Sequence, residues 1–261
     1  MNSYKDIFKN TKEYVTQLFT EQQGDHLEYH NLGHTEYVVE KATEIAGHYP
    51  LTEKEMLTIF VAAWFHDTGY LYTDPLHHEE KGVELMKNFL KSQKADEALI
   101  DDVEGCIMAT KKGSVPVGLL QEIICDADTY NFGTKDFKKT NKEVFKELEI
   151  FTKGNISAED FNEGTDRMLK EHTYYTSYCR DLLNKKKKKN IKDWDKNIEK
   201  EERKNVTEIS EKAGAAKGMQ TLLRLTSSNH MELSQIADKK ADILISVNAV
   251  IISVILSVLF R

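Results

Sequence analysis

Residues 56–65 read Met-Leu-Thr-Ile-Phe-Val-Ala-Ala-Trp-Phe, a nearly unbroken apolar run that stops at His66-Asp67-Thr68-Gly69-Tyr70. Ahead of it, Thr52-x-x-Glu55 is a capping-box pattern, which predicts a helix that opens there and runs to the His-Asp pair. A helix this apolar belongs inside a core, and it carries an imidazole and a carboxylate in with it. Buried ionisable groups are costly unless they are paired. Side by side, the two can bind one metal ion from a single backbone segment, and Gly69 lets the chain turn away afterwards. A His-Asp dipeptide alone is common on surfaces. This one requires partners from elsewhere in the chain.

The remaining sequence points to an all-α fold. Hydrophobic residues are 40% of the chain, enough for a core, and only three prolines interrupt a sequence rich in Lys and Glu. Residues 4–21 place Ile7, Phe8, Val15, Leu18 and Phe19 on one helical face. His30 and His34 either share a helix face, or Asn31 caps a helix that has His34 in its first turn. Either arrangement lets both imidazoles enter one cleft, and Pro50 ends the helix. Further helices are predicted around Val83, Leu85, Met86, Phe89 and Leu90, over residues 97–110, and from Phe137 to about Leu183. In the last of these, Phe145, Phe151, Phe161, Tyr174 and Tyr175 read as packing aromatics.

The formal net charge of -7 argues against a nucleic-acid partner. Cys106, Cys125 and Cys179 are scattered without Cys-x-x-Cys spacing, and read as reduced thiols of a cytosolic domain. Lys185 to Lys189 is the strongest charge block, diluted by Asp193, Asp195, Glu199, Glu201 and Glu202, and reads as a solvated helix face. These features divide the chain into a domain over residues 1–183, a charged helical connector over 184–218, and a tail of different character over 219–261.

A second polar site follows a buried-looking run. Leu119 to Ile124 leads into Cys125-Asp126-Ala127-Asp128, and Asp126 is the expected final metal ligand. Together His34, His66, Asp67 and Asp126 give two imidazoles and two carboxylates from separated helical segments. Such a mixed nitrogen and oxygen shell suits a divalent metal ion (Mn, Mg, Fe, Co, Ni or Zn). A bound metal acidifies water and neutralises charge on phosphoryl oxygens, which is the chemistry of phosphoester hydrolysis. Asp67 would serve catalysis through the metal, and His30 would be free to protonate the leaving oxygen. His78, Glu79, Lys111, Lys112 and Asp128 are candidates for substrate contact or for supporting the ligands.

His34, His66-Asp67 and Asp126 resemble the H…HD…D ligand set of the HD-domain metal-dependent phosphohydrolase superfamily, over roughly residues 10–180. That resemblance implies an all-helical bundle with a metal held between central helices. Tyr29-His30-Asn31-x-x-His34 is similar to an element of the cyclic-nucleotide phosphodiesterases of that superfamily, which implies His30 as the leaving-group acid and His34 as a ligand. The substrate implied is a nucleotide or cyclic nucleotide. Binuclear members carry a further His where this chain reads Ile107-Met108-Ala109-Thr110-Lys111-Lys112, so one tightly bound metal is expected.

Residues 243–260 run eighteen positions without a charge, long enough for a membrane-spanning helix of roughly 17–25 residues. Lys239 and Lys240 precede the run, so the main domain is expected on the cytoplasmic side of the inner membrane. The segment Ser228 to Asn248, with its Ala237-Asp238-Lys239-Lys240-Ala241 and Ser246-Val247-Asn248 elements, resembles the start of the Pycsar-effector transmembrane module of bacterial anti-phage systems. That resemblance implies a membrane-tethered protein in a cyclic-nucleotide defence pathway, with a nucleotide cyclase encoded nearby. Its alternative form is an effector whose HD domain senses the nucleotide without turning it over. Ser246, Ser253, Ser257 and Asn248 along the span suit helix–helix contact in lipid, and with the long charged connector they lead to the expectation of a homo-oligomer.

Overall fold

A computed structural model describes residues 3–22, 24, 26–200, 203, 224–228, 231–232 and 234–242. The chain divides into two compact units, Met1–Asp195 and Lys196–Arg261. Among the described residues every regular element is helical.

The first unit contains α1 (Tyr4–Gln22), α2 (Leu32–Ala46), α3 (Glu53–Phe65), α4 (His78–Ser92), α5 (Glu97–Ala109), α6 (Leu119–Asp128), α7 (Phe137–Phe151) and α8 (Ala158–Glu171). Two short 3-10 turns, Thr68–Leu71 and Tyr130–Gly133, follow α3 and α6. A further helix, α9, covers residues 177–200.

The apolar run over residues 56–65 lies in α3, the axis of the bundle. It packs against α1, α2, α4, α5 and α6. Leu57, Thr58, Ile59 and all of residues 61–65 are buried, Phe60 is half-buried, and only the first turn reaches solvent. Each large apolar side chain so buried contributes about 1.5–3 kcal/mol relative to exposure. Thr58 is accommodated because its hydroxyl donates to the Lys54 carbonyl at 3.0 Å. The capping box forms as predicted: the Thr52 hydroxyl accepts from Glu55 N–H, and the Glu55 carboxylate accepts from Thr52 N–H at 2.7 Å.

Two glycines set how closely α4 approaches α3. A Cβ on Gly69 would lie 1.9 Å from the His78 carbonyl oxygen, and one on Gly82 would lie 2.8 Å from the Phe65 carbonyl oxygen. Only hydrogen fits at either position. The start of α4 is therefore pressed onto the end of α3, where the His-Asp pair sits.

Within the first compact unit, which runs to Asp195, α9 is anchored at several points. The Asp126 carboxylate accepts from the N–H groups of Tyr175 and Thr176, both at 2.8 Å, just ahead of the helix. Tyr178 and Tyr130 both donate to Glu44 Oε1 at 2.7 Å. Asn190 donates to the carbonyls of Phe132 and Thr134, each at 2.8 Å. Within the lysine run, Lys185, Lys188 and Lys189 are exposed as a solvated face would be, but Lys187 is buried. Its ammonium donates to the His172 carbonyl, and burial lowers its pKa to about 8. Of the aromatics assigned to packing, Tyr174 is buried and Phe145 packs on Phe161 with ring centroids 4.7 Å apart and planes tilted by 44°.

In the second unit, residues 224–228 and 234–242 are helical and exposed. Among the described residues no helix is long and apolar enough to cross a membrane. The span expected over residues 243–260, and residues 201–202 and 204–218 of the connector expected over 184–218, lie outside the described residues.

Candidate metal centre

The end of α3 and its neighbours bring four side chains to one point. His34, His66, Asp67 and Asp128 each offer one ligand atom, and these atoms all lie within 4.8 Å of one another. His34 comes from the first turn of α2. Asn31 caps that helix, its side chain accepting from His34 N–H at 3.2 Å, so His30 precedes the helix and does not share its face. His66 is fully buried at the C-cap of α3. Its Nδ1–H donates to the Ala63 carbonyl at 2.8 Å, which leaves Nε2 as the lone-pair nitrogen. Asp67 Oδ2 lies 3.0 Å from His66 Nε2 and 3.3 Å from His34 Nε2. Asp128 Oδ1 lies 3.4 Å from His34 Nε2 and 3.7 Å from His66 Nε2.

The identity of the fourth member corrects the expectation from the sequence. Asp126 is also buried, but its carboxylate faces α9 and accepts from Tyr175 N–H, Thr176 N–H and, at 2.6 Å, the Thr176 hydroxyl. Residues two apart on an α-helix diverge by about 200°, so only one of Asp126 and Asp128 can face α2 and α3. The structure turns Asp128 to the cluster and uses Asp126 to fasten the chain ahead of α9.

A divalent cation fits the four. His34 Nε2, His66 Nε2 and Asp67 Oδ2 are buried polar atoms without a hydrogen-bond partner, and all three are lone-pair donors aimed at one another. Orphaned buried acceptors are rare because each costs about 1–3 kcal/mol, and a cation among them removes that cost. The electrostatics agree. Burial opposes protonation of His34, but Asp128 and Asp67 outweigh it and raise its pKa to about 9. Burial likewise opposes ionisation of Asp67, yet the neighbouring His66, His34 and His30 hold its carboxyl well below the ordinary range. The cluster thus attracts positive charge, as protons or as a metal.

Beside it stands His30. Its Nδ1 is hydrogen-bonded to Glu147 Oε1, and Glu147 Oε2 accepts from the N–H groups of Tyr29 at 2.9 Å and of His30 itself at 3.0 Å. Burial pushes the Glu147 carboxyl up, but the His30 imidazole and these backbone donors prevail and lower its pKa. Glu147 escaped the sequence reading because it lies on α7, 117 residues from His30. Its only trace in the sequence is a carboxylate on a helix that otherwise buries few groups.

His78 opens α4 with its Nδ1 on the Pro75 carbonyl at 2.9 Å and its Nε2 3.5 Å from Asp67 Oδ1, on the side away from His34. Glu79 is buried, and its Oε2 has no hydrogen-bond partner. Lys111 forms an ion pair with Glu80, and Lys112 is exposed, so neither is placed among the ligands.

Residues 31–132 match a family model described as HD domain. Among solved structures, the chain is similar to one described as a predicted HD superfamily hydrolase from an uncultured Thermotogales bacterium. The two share 18% identity over 72% of this chain and 91% of that one, with a TM-score of 0.47. No curated protein matches the chain.

Proposed function

We propose that the chain is a metal-dependent phosphohydrolase whose substrate is a nucleotide or cyclic nucleotide. The observation that carries this reading is the set of three unpartnered, buried lone-pair atoms of His34, His66 and Asp67, completed by Asp128, with His30 beside it. When bound there, a divalent metal supplies Lewis acidity and positive charge for the phosphoryl oxygens.

The protein's own groups do the rest. Asp67, whose second oxygen faces His78, is held between two imidazoles and so has a fixed orientation. Glu147 binds the Nδ1 side of His30, which leaves Nε2 to give its proton to the leaving oxygen as the P–O bond breaks. A water oxygen bonds to phosphorus in the same displacement, and its released proton returns through solvent to His30. A carboxylate behind an imidazole is well suited to this, since it stabilises the charged, proton-bearing ring.

The finer parts of the proposal rest on sequence. The uncharged run 243–260 supports anchoring to the inner membrane with the catalytic unit in the cytoplasm, and the Ser228–Asn248 elements support a place in nucleotide-based anti-phage defence beside a nucleotide cyclase. The test is the full chain with added Mn²⁺ against a panel of cyclic mononucleotides and nucleoside triphosphates. Turnover that requires both metal and Asp67 is the expected result. Turnover that survives Asp67→Ala, or none at all, overturns the enzymatic reading, and saturable nucleotide binding without turnover selects the sensing alternative.

A further inference from the structure

Tyr70 occupies a place that neither metal binding nor proton transfer accounts for. Its ring lies against His30 with centroids 4.1 Å apart and planes 8° from parallel. Its other face stacks on His78, again at 4.1 Å, with planes 28° apart. One phenol ring is thus held between the imidazole beside Glu147 and the imidazole beside Asp67.

We propose that Tyr70 is the positioning residue of His30: its ring face fixes the direction in which Nε2 delivers its proton. The inference rests on the phosphohydrolase reading. Glu147 holds His30 through one ring atom, Nδ1, and the Tyr29 and His34 rings meet the imidazole only edge-on, at 4.9 and 5.8 Å, so neither supports its flat face. Flat contact with the Tyr70 ring supplies that support. A proton donor misplaced by about 1 Å costs on the order of 100-fold in rate, so the constraint has kinetic consequence.

Tyr70 is itself held rigidly. It sits in the 3-10 turn directly after the His-Asp pair, where its N–H donates to the Asp67 carbonyl at 3.1 Å. Behind it, His78 is fixed by the Pro75 carbonyl, and Gly69 allows the His78 backbone to close in. The Phe151 ring flanks it at 6.3 Å. The phenol is not a competing acid. Burial, then the carboxylates Asp67, Glu147, Glu79 and Asp128, raise its pKa far above the ordinary tyrosine value. It offers a neutral aromatic face, which also attracts an imidazolium.

The experiment compares the full chain with Tyr70→Leu, Tyr70→Phe and His30→Gln, with metal content measured for each. Two esters of one phosphoryl group are used in the presence of Mn²⁺, one with p-nitrophenolate as leaving group and one with an alkoxide. An alkoxide needs the proton and p-nitrophenolate does not. Tyr70→Leu is expected to lower kcat on the alkyl ester about 10- to 100-fold while leaving the aryl ester nearly unchanged. His30→Gln should show the same pattern more strongly, about 10²–10⁴-fold, and Tyr70→Phe should restore wild-type behaviour. Equal losses on both esters, no loss, or a Phe variant as impaired as Leu overturns the proposal.

A second measurement uses metal-free protein and needs no turnover. The His30 imidazole NMR signals should be sharp in the wild type and in Tyr70→Phe, and exchange-broadened in Tyr70→Leu. Unchanged signals in Tyr70→Leu refute the positioning role. Wild-type protein inactive on both esters and on the nucleotide panel refutes the phosphohydrolase reading, and the imidazole signals still decide whether Tyr70 holds His30.

Discussion

The division of labour between Asp126 and Asp128 gives the sharpest prediction. Asp128→Ala removes a ligand whose oxygen lies 3.4 Å and 3.7 Å from the two imidazole Nε2 atoms, and it touches no backbone donor. Asp126→Ala removes the acceptor of two backbone N–H groups and one hydroxyl, at 2.8, 2.8 and 2.6 Å. The hydroxyl can rotate to another acceptor, but the two N–H groups cannot move. Each buried donor left unsatisfied costs about 1–3 kcal/mol, less for the part-buried Tyr175 N–H, so Asp126→Ala should destabilise the fold by about 2–5 kcal/mol. For a unit of this size each kcal/mol lowers Tm by about 2–4 °C, which predicts a drop of roughly 4–20 °C. Asp128→Ala should lower the metal-free Tm less than Asp126→Ala does, because it removes one of the two carboxylates that hold the His34 proton but leaves no backbone donor unsatisfied. Metal titration by calorimetry should show the reverse order. Asp126→Ala, at a temperature where it remains folded, keeps the wild-type stoichiometry, whereas Asp128→Ala loses at least 10- to 100-fold in affinity, the cost of disturbing even a supporting group. If folded Asp126→Ala fails to bind metal while Asp128→Ala binds as the wild type does, the assignment of the fourth ligand is wrong.

Other consequences follow from the same geometry. His34 in the metal-free protein has a pKa raised from 6.5 to about 9. Its contribution to stability is therefore fully present below about pH 6.5 and is lost as pH rises through about 9. Thermal melts of metal-free protein should fall across that window, and saturating metal should abolish the slope; a flat metal-free profile would exclude the His34–carboxylate coupling. Because the metal must displace that proton, affinity measured by calorimetry should rise with pH up to about 9 and then level off. Glu147→Gln removes the negative charge behind His30 and should lower kcat about 10-fold or more with little change in bound metal, read by steady-state kinetics and metal analysis. Gly69→Ala introduces a Cβ 1.9 Å from the His78 carbonyl oxygen. Overpacking of this kind costs about 1–3 kcal/mol, and a melt showing no loss would mean that α4 can move away freely.

Local chemistry made much of this protein legible from sequence. Thr52-x-x-Glu55 and the apolar run after it describe a helix buried beyond its first turn, because a helix that is apolar all round has no stable place except a core, and α3 is that helix. Asn31 as a cap was one of two arrangements the sequence allowed, and it is the one the structure adopts, while the adjacency of His66 and Asp67 required a charge-compensating site nearby. What the sequence could not rank was Asp126 against Asp128, since both end the same apolar run. Their side chains leave α6 in different directions, and only the packing of α6 on α2 and α3 decides which one meets the imidazoles. Glu147 and Tyr70 were hidden for related reasons. The first reaches His30 across a long separation in sequence, and the second acts through a ring contact that no spacing rule encodes. Lys187, one of five consecutive lysines, is buried solely because α9 lies against the His172 segment. Because capping and periodicity are local, the sequence by itself determined the helical character of the chain and the polar end of α3, although it read residues 137–183 as one pattern where loops at 152–157 and 172–176 separate α7, α8 and α9. Which side of each helix faces the metal centre is a property of the assembled bundle, and tertiary packing alone decided it.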